Sequence, residues 1–152
     1  MKPLIVLIVA FLISLTVLKL TTDTYNLQMA GRIAMAIMLL FTSIAHFKIV
    51  KGMIMMIPDF IPNKKLVVYA TGFIEIVAAI GLLFASTHKL TAWFLILFFI
   101  FLLPANVNAA FKKVNYENGT YTGNGISYLW FRIPLQIFFI AWLYFSSIYI
   151  YD

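Results

Sequence analysis

The chain contains no cysteine, two histidines and only five acidic residues among 152. Without cysteine there are no disulfides, no thiolate-held zinc or iron–sulfur centre and no thiol nucleophile, and the redox state of the compartment leaves no trace. His46 and His88 are too few for a haem pair or a zinc site without carboxylate help. Charge of either sign is scarce at 11%, against about a quarter in an ordinary soluble domain. What fills the space is hydrophobic: 64% of the residues, with 17% aromatic. This is the composition of a membrane protein, and its length leaves room for one bundle over residues 1–152 and no separate soluble domain. The net charge of +6 does not signal nucleic acid, because the basic residues fall between apolar runs instead of along one face.

Five apolar runs are long enough to span: Pro3 to Leu20, Gln28 to Phe47, Leu66 to Ala85, Leu90 to Phe111 and Tyr128 to Tyr149. Backbone exposed to lipid must satisfy its own hydrogen bonds, so the expected fold is all-α, a polytopic transmembrane helical bundle. The first run follows Lys2 as a signal peptide would, but it is long and lacks a small-residue cleavage site, so it is read as a retained helix. If all five cross, Lys2, Lys48, Lys51, Lys64, Lys65, Lys112 and Lys113 share one side, and the other side holds Lys19, Lys89 and Arg32. Positive residues stay with the cytoplasm, which puts the N-terminus inside and the C-terminus outside.

The connections differ in character. Residues 48–65 mix lysines with Ile49, Met53, Met56, Ile57, Phe60 and Ile61, which suits a segment lying on the membrane surface. Its methionines also suit an adaptable binding surface. Pro58 and Pro62 forbid one continuous helix there. Asn115 to Gly125 is polar, carries two Asn-Gly turns and reads as a mobile link; its Asn118-Gly119-Thr120 sequon falls on the cytoplasmic side. There is no convincing internal repeat.

Ionisable groups within a span are costly unless paired or facing a cavity. Glu75 lies about 13 Å in from the start of its run, Gln136 about 12 Å and Asn106 about 7 Å, while Arg132 is about 6 Å deep with a long side chain to extend its reach. His46 closes its span on the same side. These depths predict one polar cluster of Glu75, Arg132, Gln136, Asn106 and His46, centred on a Glu75–Arg132 ion pair and extended by Thr42, Thr71 and Tyr69. Pro104 leaves the Ile100 carbonyl without its helical donor, a vacancy that a polar group must fill, and Asn106 and Asn108 are placed to do so.

Plainer readings stand beside the functional ones. Glu75 and Arg132 can form a fixed brace, and His46 can be an ordinary interfacial histidine. Gly72, Ala78, Ala79 and Gly81 read as helix packing, and Trp93, Tyr128, Trp130, Tyr149 and Tyr151 as a belt. No catalytic template fits and no metal-ligand set is evident. A His46–Glu75 proton relay falls short of a reaction.

Taken together, IAHF at Ile44–Phe47, MIPDFIP at Met56–Pro62, the stretch Val68–Phe84 around Glu75, LLPANVNAAF at Leu102–Phe111 and FRIPLQ at Phe131–Gln136 resemble the DoxX-like family of small bacterial integral membrane proteins. The likeness covers about the last 110 residues, and Asp59 stands where that family usually has a second proline. The resemblance implies a four-helix core plus one added N-terminal helix, a bacterial inner-membrane location and signature residues at His46, Glu75, Asn106, Arg132 and Gln136. It implies three roles: an accessory or small-ligand-binding subunit of a membrane complex, a quinone-linked oxidoreductase subunit that borrows its electron chemistry from a redox partner, or an assembly factor for another membrane protein. The first is the leading expectation.

Overall fold

A computed structural model describes residues 2–149, all in helices and their connections; among them there is no strand beyond an isolated Asn115–Thr120 bridge. Six α-helices follow one another: α1 (Lys2–Thr22), α2 (Leu27–Lys48), α3 (Val50–Met56), α4 (Lys64–Leu83), α5 (His88–Phe111) and α6 (Ser127–Leu143). The last runs on as a π-helical turn, Tyr144–Ile148. Five are long and apolar enough to cross a membrane, the fifth counted through Ile148, and each matches one of the expected runs within a few residues. Tyr151 lies outside the described residues.

The α2 helix organises the bundle, packing on α1, α4 and the end of α6. Its start is fixed by the Asn26 side chain, which accepts from the Met29 amide at 2.8 Å. Small residues then let neighbours in. A Cβ at Gly31 would lie 2.8 Å from the Ser146 Cβ, and one at Gly72 of α4 would lie 2.7 Å from the His46 Cβ, so both contacts depend on glycine. Against α2, α4 turns Val68, Gly72, Glu75, Ala79 and Leu82, a stripe at helical spacing. The α1 helix fully buries only Leu7, Ala10 and Ser14, packs Leu4, Val6 and Phe11 partly against the core, and turns Ile5, Leu12, Ile13 and Val17 outward. The core proper joins Met35, Met38 and Leu39 with Leu82, Leu95, Phe99, Leu135, Phe139 and Leu143.

The α3 helix ends where Pro58 demands it, with Ile57 extended at φ −72° and ψ 132°. Two ion pairs then bring the basic connections to one end of the bundle: Lys2 to Glu117 at 3.0 Å and Lys112 to Asp59 at 2.5 Å. The N-terminus of α1, the 48–65 connection and the α5–α6 connection therefore share an end, as the alternation of spans requires. At the opposite end Gln28 donates to the Tyr149 carbonyl at 2.7 Å.

The α5–α6 connection is more built than a loose link. Asn115 and Thr120 bond across a tight turn with Gly119 at φ +63°, and the Tyr116 backbone sits so close over Gly52 of α3 that a side chain there would collide with it. Only glycines at both places allow this seat.

Candidate functional site

The site grows from the close approach of α2 and α4. With no side chain at Gly72, the His46 imidazole lies flat on α4, its Nδ1 3.0 Å from both the Val68 carbonyl and the Thr71 hydroxyl. A carbonyl oxygen only accepts, so the network assigns the Nδ1 proton to that side of the ring. Nε2 then lies 3.5 Å from Glu75 Oε1, an ion-pair distance without a hydrogen bond. The other carboxylate oxygen accepts from the Thr42 hydroxyl at 2.9 Å. Glu75 is 4% exposed, a buried acid whose protein partners are a histidine and a hydroxyl.

Across the bundle, Gln136 of α6 is 8% exposed and bridges to α5 twice. Its Nε2 donates to the Phe99 carbonyl, and its Oε1 accepts from Asn106 Nδ2 at 3.3 Å. The proline-disturbed stretch of α5 is thus held by a glutamine from another helix, and through Phe99 instead of the expected Ile100. Asn108 serves elsewhere, donating to the Met56 carbonyl at 2.8 Å and so tying α3 to α5.

Arg132 departs from expectation. Among the described residues no ion pair joins it to Glu75. Its Nε donates to the Tyr128 hydroxyl, and its guanidinium carbon lies 5.2 Å from the Tyr128 ring centre and 5.7 Å from that of Tyr116. Two electron-rich ring faces stabilise the cation and hold it. Four residues separate Tyr128 from Arg132, one helical turn, which explains why the local partner wins over a carboxylate on another helix. Tyr128, expected at the belt, also holds Arg132 in place. Tyr116 carried no signal in the sequence, since its place depends on how the polar connection folds back. Tyr69 also stays out of the cluster, stacking on Phe47 at 5.8 Å.

Glu75 and Arg132 nonetheless share a cavity of about 100 Å³, lined with Thr42, Asn106 and Gln136 on its polar side and by Met38, Leu102, Phe99 and Phe139 among its apolar walls. Pro3 of α1 also reaches it. All five residues singled out from depth alone are therefore in one place, four on the cavity wall and His46 directly behind Glu75. Arg132 is half-buried, and among the described residues its one side-chain hydrogen bond is that from Nε, which leaves its terminal amino groups accessible. No three histidine or acidic side chains converge among those residues to form a metal-ligand set.

Outside the spans, Asp59 is gripped by Lys112 at 2.5 Å and Lys64 at 2.7 Å. Hydrogen bonds and charge from these lysines, Lys112 foremost, hold its carboxyl down at about 2.

Residues 35–147 match a family described as a domain of unknown function, DUF8561, and the chain belongs to that family. The matched stretch contains His46, Glu75, Asn106, Arg132 and Gln136 and begins within α2. No curated protein and no solved structure matches the chain.

Proposed function

We propose that this chain is an accessory subunit of a membrane complex and that it binds a small ligand in the Glu75–Arg132 cavity. One observation carries the reading: a buried acid and a guanidinium line the same small space without touching. A structural brace would close that gap, since a buried carboxylate held apart from a guanidinium forgoes the attraction that offsets its desolvation. The DoxX-like order of motifs and the lysines gathered at one end support a bacterial inner-membrane protein with a four-helix core, an added first helix and its lysine-rich end in the cytoplasm. The size of the cavity limits the ligand. An apolar void of about 150 Å³ admits benzene, so a substituted quinone ring would require these walls to move.

Mass spectrometry of the protein extracted in mild detergent tests the reading. A small molecule should accompany the wild type and be absent from Arg132→Gln. If the wild type carries none, and replacing Glu75 and Arg132 together by leucine leaves growth and the membrane complexes unchanged, the two residues are only a brace.

A further inference from the structure

The unpaired charges say what kind of ligand the cavity takes. Glu75 of α4 is faced from α2 by His46 and the neutral Thr42, and from α6 across the cavity by Arg132 with the Tyr128 hydroxyl behind it. The α5 helix offers only the Asn106 amide, and α1 only Pro3, because Lys2 is turned to Glu117. On α4 itself, Lys64 holds Asp59 and Lys65 lies over the Tyr69 ring. The charge balance of the site therefore rests on Arg132, Glu75 and His46.

With His46 protonated only at Nδ1 and Glu75 ionised, the site carries one positive and one negative charge. In that state Nε2 and Oε1 lie 3.5 Å apart, within ion-pair reach, so a proton taken by either is stabilised by the other. Adding it neutralises the His46–Glu75 dyad, whichever partner holds the charge, and leaves Arg132 uncompensated. Arg132 is half-buried and Glu75 is the one acid lining the cavity with it, so once the dyad is neutral an anion in the cavity restores the counter-charge. Arg132 is prepared for one: its Nε is taken by Tyr128, and its two Nη groups remain to meet a planar carboxylate with two parallel bonds. The volume equals about three waters, and the apolar walls suit a short hydrocarbon tail.

We infer that the cavity takes up a short aliphatic monocarboxylate together with one proton, the carboxylate on the Arg132 Nη groups and the proton between His46 Nε2 and Glu75 Oε1. The site is electrically balanced both empty and filled. This rests on the ligand-binding reading above and names the class of ligand.

Calorimetry with acetate, with acetamide as the neutral isostere, tests it on the intact protein in detergent. Acetate binds the wild type and acetamide does not. Repeating the titration in buffers of different ionisation enthalpy shows uptake of about one proton per acetate, and where the dyad is otherwise unprotonated the apparent Kd rises about tenfold per pH unit. Glu75→Gln keeps an acceptor for Thr42 but removes the proton position, so it binds acetate without proton uptake and without that slope. A slope that persists in Glu75→Gln means that the neutral acid is the bound species and overturns the proposal. Arg132→Gln loses acetate; Arg132→Lys keeps the charge but not the paired donors, and binds more weakly with the proton still coupled. Equal binding of acetate and acetamide, or no acetate bound by folded wild type, also overturns it. A different, neutral molecule found in the extract would then leave the ligand-binding reading standing.

Discussion

The two ends of the bundle hold two hollows of opposite character. Near the lysine-poor end, a space of about 340 Å³ lies among Phe11, Leu27, Phe138, Trp142 and Phe145. Its polar neighbours are satisfied close by: Trp142 Nε1 donates to the Gly31 carbonyl at 3.0 Å and Gln28 to that of Tyr149. The smaller hollow near the other end collects an acid, a guanidinium and two amides, and leaves the charges apart. Volume alone would choose the first, which needs nothing more than an acyl chain beside it. Two opposite charges held apart, one of them on a buried carboxylate, choose the second.

The sharpest way to break this comparison is at Glu75. Glu75→Leu leaves the His46 Nε2 unpaired in a buried setting, takes the counter-charge from Arg132 and leaves the Thr42 hydroxyl only the Leu39 carbonyl at 3.0 Å, and we expect a loss of about 3 kcal/mol in reversible detergent unfolding. Double-mutant cycles then separate the partners. Glu75 with His46 should show clear coupling, and Glu75 with Arg132 a smaller one of about 0.5–1 kcal/mol in the absence of ligand, because their charges share a cavity without touching. A large Glu75–Arg132 coupling would mean that the two are in contact and the cavity closes.

Next in size is Gln136→Leu, which keeps the volume nearly constant but leaves the Phe99 carbonyl and the Asn106 amide without their partner. A loss of about 1–3 kcal/mol is expected. The counterpart at the other end is Trp142→Phe, which removes one hydrogen bond to a backbone carbonyl and should cost about 1 kcal/mol by the same measurement. If the tryptophan change proves the more damaging, the lysine-poor end is the more tightly specified one.

How much of this was legible in the sequence follows from the kind of information each feature needs. The spans could be read to within a few residues because lipid imposes length and hydropathy on each segment separately. The cluster could be read because depth is additive along a helix, so Glu75, Gln136 and Asn106 report their own height. Rotation about the helix axis and the pairing of neighbours are not additive. Depth gives Arg132 a workable height but not its partner, because a tyrosine one turn away and another in a folded-back connection compete with a carboxylate on a different helix. The seat of that connection is out of reach for the same reason: Gly52 and Gly119 acquire their meaning only when Tyr116 is seated and the turn closes.

The smallest effect should come from Asp59, an exposed charge at the same end as the buried ones. Two lysines depress its carboxyl from an ordinary 3.8 to about 2, so its stabilising contribution is present in full above the ordinary value and is lost as the pH falls through about 2. Asp59→Asn should lower the Tm only slightly at neutral pH and low salt, because exposed pairs gain little from water-screened attraction. Near 1 M salt, where the screening length is about 3 Å, the difference from wild type should disappear. The carboxyl resonance of Asp59 should titrate near 2. If Asp59→Asn destabilises as strongly as Glu75→Leu and salt makes no difference, then charge at this end matters wherever it lies, and burial is not what distinguishes the cavity from the surface around it.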